Sequence, residues 1–283
     1  MSWPEFLGPE PTQVGIVSQG NAPLILSIPH AGQFIPSRYE PALMSKWLAR
    51  KDADWWLPQL YDFQWELGAT IIQNSISRSV IDVNRDPSGV SLYPGQVTTG
   101  LCPTETFDGE PLYQPGMAPD EAEIASRRAI YFESYHNSLE TEIARLKAVH
   151  DTIVVYDCHS IRGRIPRLFP GELPNFNIGS NDDKSCDPRL TEAITAICAA
   201  AQEFTHVVNG RFKGGYITRH YGDPANGVHA IQMELACRGY LREPEVPDET
   251  NWPAPYDEAY AAPMREVLKQ ILQAALQFAG AKS

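Results

Sequence analysis

The sequence predicts an α/β fold, a three-layer sandwich with helices on both faces of a mixed, mostly parallel sheet. Three observations carry this expectation. Short apolar runs, such as Leu24, Ile25, Leu26 and Ile28 in one segment and Ile153–Val155 in another, have the length and composition of strands buried on both faces. These runs alternate with longer stretches of helical periodicity. Several of the runs end in His, Asp or Arg, and open α/β sheets build their sites at the carboxyl ends of their strands.

Taken in order, residues 24–29 form the first strand, and His30 arrives as it ends. Residues 39–50 and 54–67 read as helices. The second carries Trp55, Leu57, Leu60, Tyr61 and Trp65, and Gly68 fits its C-terminal cap. Residues 69–73 and 79–84 are strand-like. The stretch 86–119, rich in Pro, Gly and Thr, is a long loop, and loops of that length in a compact domain are usually functional. Residues 120–149 make a long polar helix. A strand at 152–157 follows, then a loop with Arg162, Arg164 and Arg167. Residues 175–179 are a strand, 187–203 a helix and 205–209 a strand. The Gly-rich loop 213–227 leads to a strand at 229–235 and an amphipathic helix at 257–279. No internal repeat interrupts this order, so residues 1–283 are expected to form one domain with a long active-site loop near 86–119.

Composition narrows the function classes. At 283 residues with 43% apolar content the chain can bury a substantial core. A net charge of −12 argues against a nucleic-acid partner, which would need a basic surface. Local arginines can still hold a small anionic substrate. No run of about 18 apolar residues marks a membrane span. The first 13 residues lack the basic region and apolar core of a signal peptide. The five cysteines, Cys102, Cys158, Cys186, Cys198 and Cys237, are odd in number and form no Cys-x-x-Cys pair. They read as reduced thiols in a cytoplasmic protein. Cys158 lies between Asp157 and His159, but on a strand it points to the opposite face, into the core.

The chemistry is concentrated in a few islands. The densest is Ser77–Gly89, where Arg78, Asp82, Asn84, Arg85 and Asp86 crowd a short segment that ends in a turn. Arginine there points to a carboxylate or phosphate, because its planar fork bonds two oxygens at once. His30, His159 and Glu234 follow or end apolar runs, and Gln232 faces the same way as Glu234. The Gly-rich loop adds Arg219 for an anion and His220 for acid–base work. Two histidines with a carboxylate suggest a zinc site that activates water, with a further carboxylate to move the proton. The expected reaction is hydrolysis of an amide on an acidic small molecule. No Gly-x-Ser-x-Gly elbow, phosphate-binding loop or dinucleotide fingerprint offers a rival chemistry.

At these residues the chain resembles the N-formylglutamate amidohydrolase (deformylase) family. The resemblance runs through SIPHAGQFIP, DADWW, SRSVIDVNRDPSG, YDCHSI and GRFKGGYITRHYG to HAIQMELACRGYL, nearly the whole chain. The family is distantly similar to zinc carboxypeptidases and aspartoacylases, whose Asp-Leu-Asn-Arg motif is echoed by Asp82–Arg85. The resemblance implies a carboxypeptidase-like fold and hydrolysis of N-formyl-L-glutamate to formate and glutamate in histidine degradation. It implies one divalent metal, Zn2+ first among the candidates, with iron, cobalt or manganese able to use the same donors. His30 resembles the first metal histidine and His159 the last. Arg78 resembles the carbonyl-polarising arginine, Asn84 and Arg85 the carboxylate clamp, and Glu234 the general acid/base. The distant group has Glu where this chain has Gln33, and an amide oxygen is a poorer zinc ligand than a carboxylate. The replacement is Asp54 or Asp52, with Asp54 favoured by its place in DADWW. Two other classes fit the same islands: a zinc amidase for another N-acyl amino acid or peptide end, and a non-catalytic ligand-binding relative.

Overall fold

A computed structural model of the chain describes residues 14–91, 95 and 98–280. The N-terminal residues 1–13 and part of the expected 86–119 loop therefore lie outside the described residues. Seven strands form one sheet: β1 (Gly15–Ser18), β2 (Leu24–Ile28), β3 (Thr70–Asn74), β4 (Ile153–Ile161), β5 (Phe176–Gly179), β6 (His206–Val208) and β7 (Val228–Ala236). Their spatial order is β1-β3-β2-β4-β7-β5-β6. Four of the six pairings are parallel; β1–β3 and β5–β7 are antiparallel. The mixed, mostly parallel α/β sheet is thus the one expected.

The central strands explain where the site lies. β4 and β7 are buried along their whole lengths. Alternate residues face opposite layers. Val154, Tyr156 and Cys158 of β4, with Ile231 and Met233 of β7, pack in one cluster with helices α5 (Pro188–Ala200) and α7 (Glu258–Gly280). Ile153 and Val155 of β4, with Val228 and Ala230 of β7, pack in a second cluster under α4 (Glu133–Lys147). That second parity continues to Asp157, His159, Gln232 and Glu234. Polar groups therefore replace apolar ones on one face as β4 and β7 reach their carboxyl ends. Cys158 falls on the other face, in the core, and all five cysteines are free and buried.

Several elements differ from expectation. The 39–50 and 54–67 helices reduce to short helical turns at Glu40–Ala42, α1 (Leu48–Lys51), α2 (Leu57–Leu60) and Asp62–Leu67. The second is interrupted at its start because Trp56 sits in the left-handed region, φ 64°, and Asp54 N–H donates to His30 O (3.0 Å). Gly68 does cap the last turn, at φ 62°. The long polar helix is continuous from α3 (Glu121–Arg127) through a wider turn at Arg128–Phe132 into α4. β1 was not expected, nor was α6 (Tyr216–Tyr221) inside the Gly-rich loop.

The expected strand at 79–84 is a correction. The segment is a series of turns. Its apolar residues Val80, Ile81 and Val83 are buried as a strand's would be. Its backbone is satisfied differently. Tyr113 Oη donates to Ser79 O (3.2 Å), Arg127 Nη1 to Val80 O (3.1 Å) and His136 Nε2 to Val83 O (2.8 Å). Ser77 Oγ accepts from Ser79 N–H, and Asp82 Oδ1 from Asn84 N–H. Ser and Asp side chains offer the backbone a local alternative to a ladder, and here they win. No described helix is long and apolar enough to cross a membrane.

Candidate metal centre and active site

His30 and Asp54 meet across a backbone bond just beyond β2, and β4 brings His159 beside them. The three are buried, and one ligand atom from each lies within 4.8 Å of the others. Asp54 Oδ2 is 3.3 Å from His159 Nδ1 and 3.8 Å from His30 Nδ1. Neither Asp54 oxygen accepts a hydrogen bond from the described residues, although both are buried. Arg78 Nη1 is 3.8 Å from Asp54 Oδ1, an ion pair beyond hydrogen-bond reach, and a buried carboxylate without a hydrogen bond is costly. A cation between it and the two imidazoles would remove that cost, so the donor set fits a divalent metal of the zinc type. Asp54 of DADWW thus stands in this cluster, whereas Asp52 and Gln33 do not.

Each histidine is backed by a second carboxylate. His30 Nε2 lies 2.7 Å from Asp82 Oδ1, and His159 Nε2 lies 2.9 Å from Asp157 Oδ2. Such partners fix the ring so that its other nitrogen would be free to bind an ion. Sequence reasoning gave Asp82 and Asp157 no role. Their signal was present: Asp157 and His159 are two apart on one strand face, and Asp82 begins the Asp-Val-Asn-Arg run. Asn84 stands behind the centre too. Its Nδ2 donates to Asp157 Oδ2 (3.2 Å) and lies 2.8 Å from His159 Nε2, while its Oδ1 accepts from Ile217 N–H (2.7 Å).

Electrostatics follow from burial and these partners. Asp82 is held well below the usual carboxylate range: burial opposes this, but Arg85, His30 and Arg78 outweigh it. His30 is lowered by burial and by Arg78. His159 is raised well above the usual histidine value despite burial, because Asp157 and Asp54 favour positive charge there. The same field that favours a proton favours a cation. Glu234 sits opposite His159 in the β4–β7 register. Burial first, and Asp54 next among the groups that raise it, push its carboxyl up to about 8 against the pull of His159 and Arg78.

A cavity opens over this centre. His30, His159, Gln232 and Glu234 line it. Arg78, Arg85 and Arg211 line it, and Phe107, Ile161, Leu168 and Phe212 make an apolar wall. Arg78 bonds Asp82 Oδ2 through Nη2 (2.7 Å) and lies over the Phe107 ring, 4.7 Å from its centroid. Arg85 donates from Nε and Nη2 to Thr99 O and Oγ1, both at 3.1 Å. Arg219 and His220 do not line the cavity. Arg219 Nε donates to Gly214 O (2.9 Å), and exposed His220 stacks on Tyr216 with centroids 4.8 Å apart. Asp52 instead accepts from Phe107 N–H (2.6 Å) and pairs with Arg162 (3.4 Å), bracing the loop that carries Phe107.

Comparison with known proteins places this arrangement. The profile described as N-formylglutamate amidohydrolase matches residues 22–241. The chain belongs to the N-formylglutamate amidohydrolase family. It is 45% identical over 258 residues to an N-formylglutamate deformylase of Pseudomonas putida, covering 91% of this chain and 94% of that one. It is 44% identical over 254 residues to one of Pseudomonas aeruginosa, covering 90% and 94%. A crystal structure of N-formylglutamate amidohydrolase from Ralstonia eutropha aligns with TM-score 0.75 at 21% identity, covering 94% of this chain and 97% of that one. A gene product of Agrobacterium tumefaciens aligns at 0.70 and 20%, covering 94% and 96%. These two likenesses bear on the fold. In this chain His30, Asp54 and His159 lie together, and Glu234 is paired with His159 in the β4–β7 register.

Proposed function

We propose that this chain hydrolyses N-formyl-L-glutamate to formate and L-glutamate, with one divalent metal, Zn2+ first among the candidates, held by His30, Asp54 and His159. The observation that carries the reading is Asp54, a buried carboxylate without hydrogen bonds, facing the Nδ1 atoms of two histidines that carboxylates back. The deformylases that are 44–45% identical over nine-tenths of the chain support the substrate. When bound, a divalent ion supplies Lewis acidity, lowering the pKa of water and polarising a carbonyl.

The protein groups supply the rest. Glu234 takes the proton of the attacking water at its carboxylate and passes it to the amide nitrogen, so that glutamate leaves as a neutral amine. Arg78, fixed between Asp82 and Phe107, stabilises negative charge growing on the formyl oxygen. Arg85 binds the α-carboxylate, one carbon from the scissile amide. Asn84 orients His159 and Asp157 around the centre, in addition to lining the cavity beside Arg85. The apolar wall excludes water from the reacting amide. We place the reaction in histidine degradation, in the cytoplasm.

Measuring formate release from N-formyl-L-glutamate beside acetate and succinate release from the acetyl and succinyl analogues tests the reading. Preference for the formyl substrate supports it. Faster turnover of a larger acyl group would make the chain a different N-acyl amino acid amidase.

A further inference from the structure

We propose that Arg211, on the loop between β6 and α6, reads the side-chain carboxylate of the substrate, and that Arg219 acts only by bracing that loop. This rests on the reading of the cavity as a formylglutamate site. Glutamate carries two carboxylates, and one arginine fork cannot satisfy both. Of the three arginines lining the cavity, Arg78 and Arg85 belong to one segment and share Asp82, at 2.7 and 3.7 Å. Asp82 in turn holds His30 (2.7 Å). Arg78 and Arg85 are therefore tied to the metal-ligand side, where the scissile amide and the adjacent α-carboxylate must lie.

Arg211 comes from another wall. Its Nε donates to Leu168 O (3.1 Å), and its guanidinium carbon lies 5.2 Å from the Phe212 ring centroid. Leu168 and Phe212 pack on the apolar cluster that includes Phe107 and Ile161. Two methylenes separate the Cα of glutamate from its side-chain carboxylate. A chain of that kind runs along an apolar wall and ends at a cation mounted on it.

The loop carrying Arg211 is anchored at both ends. Asn209, in the left-handed region at φ 50°, accepts from Ser180 N–H (2.9 Å) and donates to Ser180 Oγ (2.8 Å). Lys213 O accepts from Asn181 N–H (2.7 Å), and Gly215 N–H donates to Gln232 Oε1 (2.7 Å) on the strand that bears Glu234. A Cβ on Gly215 would come within 2.4 Å of Asn84 Nδ2, so glycine is needed for the loop to approach the centre. Arg219 joins this bracket through its bond to Gly214 O. A fork preset in this way loses little freedom on binding.

The test compares kcat/KM for N-formyl-L-glutamate and its neutral isostere N-formyl-L-glutamine in the metal-loaded protein and its variants. Arg211→Gln lowers the value for formylglutamate by about 100-fold and that for formylglutamine by less than about 3-fold. Arg211→Lys keeps part of the preference, because it keeps the charge. Arg219→Gln lowers both substrates by the same factor. The preference is a ratio within one preparation, so partial loss of folded protein cancels from it. An unchanged ratio in Arg211→Gln, or a collapse of the ratio in Arg219→Gln, overturns the proposal. Wild-type protein without formylglutamate turnover instead overturns the functional reading beneath it.

Discussion

Asp52 and Asp54 are two positions apart in DADWW, and the fold sends them to different tasks. Asp54 faces His30 and His159; Asp52 faces the Phe107 amide and Arg162. Asp54→Asn should therefore lose metal, since an amide is a poor third donor for a divalent ion. Asp52→Asn should keep metal but lower kcat several-fold, because the ring of Phe107 supports Arg78. Metal content measured beside kcat separates the two, and equal metal loss in both variants would contradict the assignment. Glu234→Gln keeps the shape of the side chain and removes the proton acceptor. It should lower kcat by about 100-fold or more with KM within about 3-fold. Loss confined to KM would make Glu234 a binding group.

The element that matters most is the 77–86 segment, a buried run of turns held by side chains from other elements. His136 of α4 lies 2.8 Å from Val83 O through Nε2 and 2.8 Å from Tyr221 Oη through Nδ1. Burial pushes its pKa down to about 4; His220 adds to this, while the bond to Val83 O and the charge of Asp157 oppose it. The folded value lies below the unfolded value of about 6.5, so the unfolded chain takes the proton first as pH falls. The contribution is full above pH about 6.5 and is lost towards pH 4, by about 3 kcal/mol. Urea unfolding between pH 7 and 4 should show wild type losing more stability than His136→Gln. Parallel curves for the two would rule the effect out. This element also marks where reading the sequence failed. Val80, Ile81 and Val83 carry the burial pattern of a strand, but Ser77 and Asp82 redirect the backbone, and the donors that replace a ladder, Tyr113, Arg127 and His136, lie 34, 47 and 53 residues from the carbonyls they serve. No local pattern contains them.

At the scale of the whole molecule, the sheet was legible because its central strands are continuous apolar runs followed by chemistry. The same reading put His30, Arg85 and His159 at one edge of the sheet; the two histidines arrive there just beyond β2 and on β4, whereas Arg85 arrives on a run of turns. The arginines were harder. Arg211 and Arg219 lie eight positions apart around the same two glycines, yet Arg211 lines the cavity, whereas Arg219, in the short helix α6, bonds Gly214 O. The carboxylates behind the histidines were visible as residues but not as partners, since that depends on ring orientation. What would join all these parts is the divalent ion proposed for the cluster of His30, Asp54 and His159. The direct test is formate release from N-formyl-L-glutamate by protein stripped of metal, then given one equivalent of Zn2+ per chain. The account predicts that turnover falls to background on stripping and returns on reloading. Undiminished turnover by the metal-free protein would contradict it.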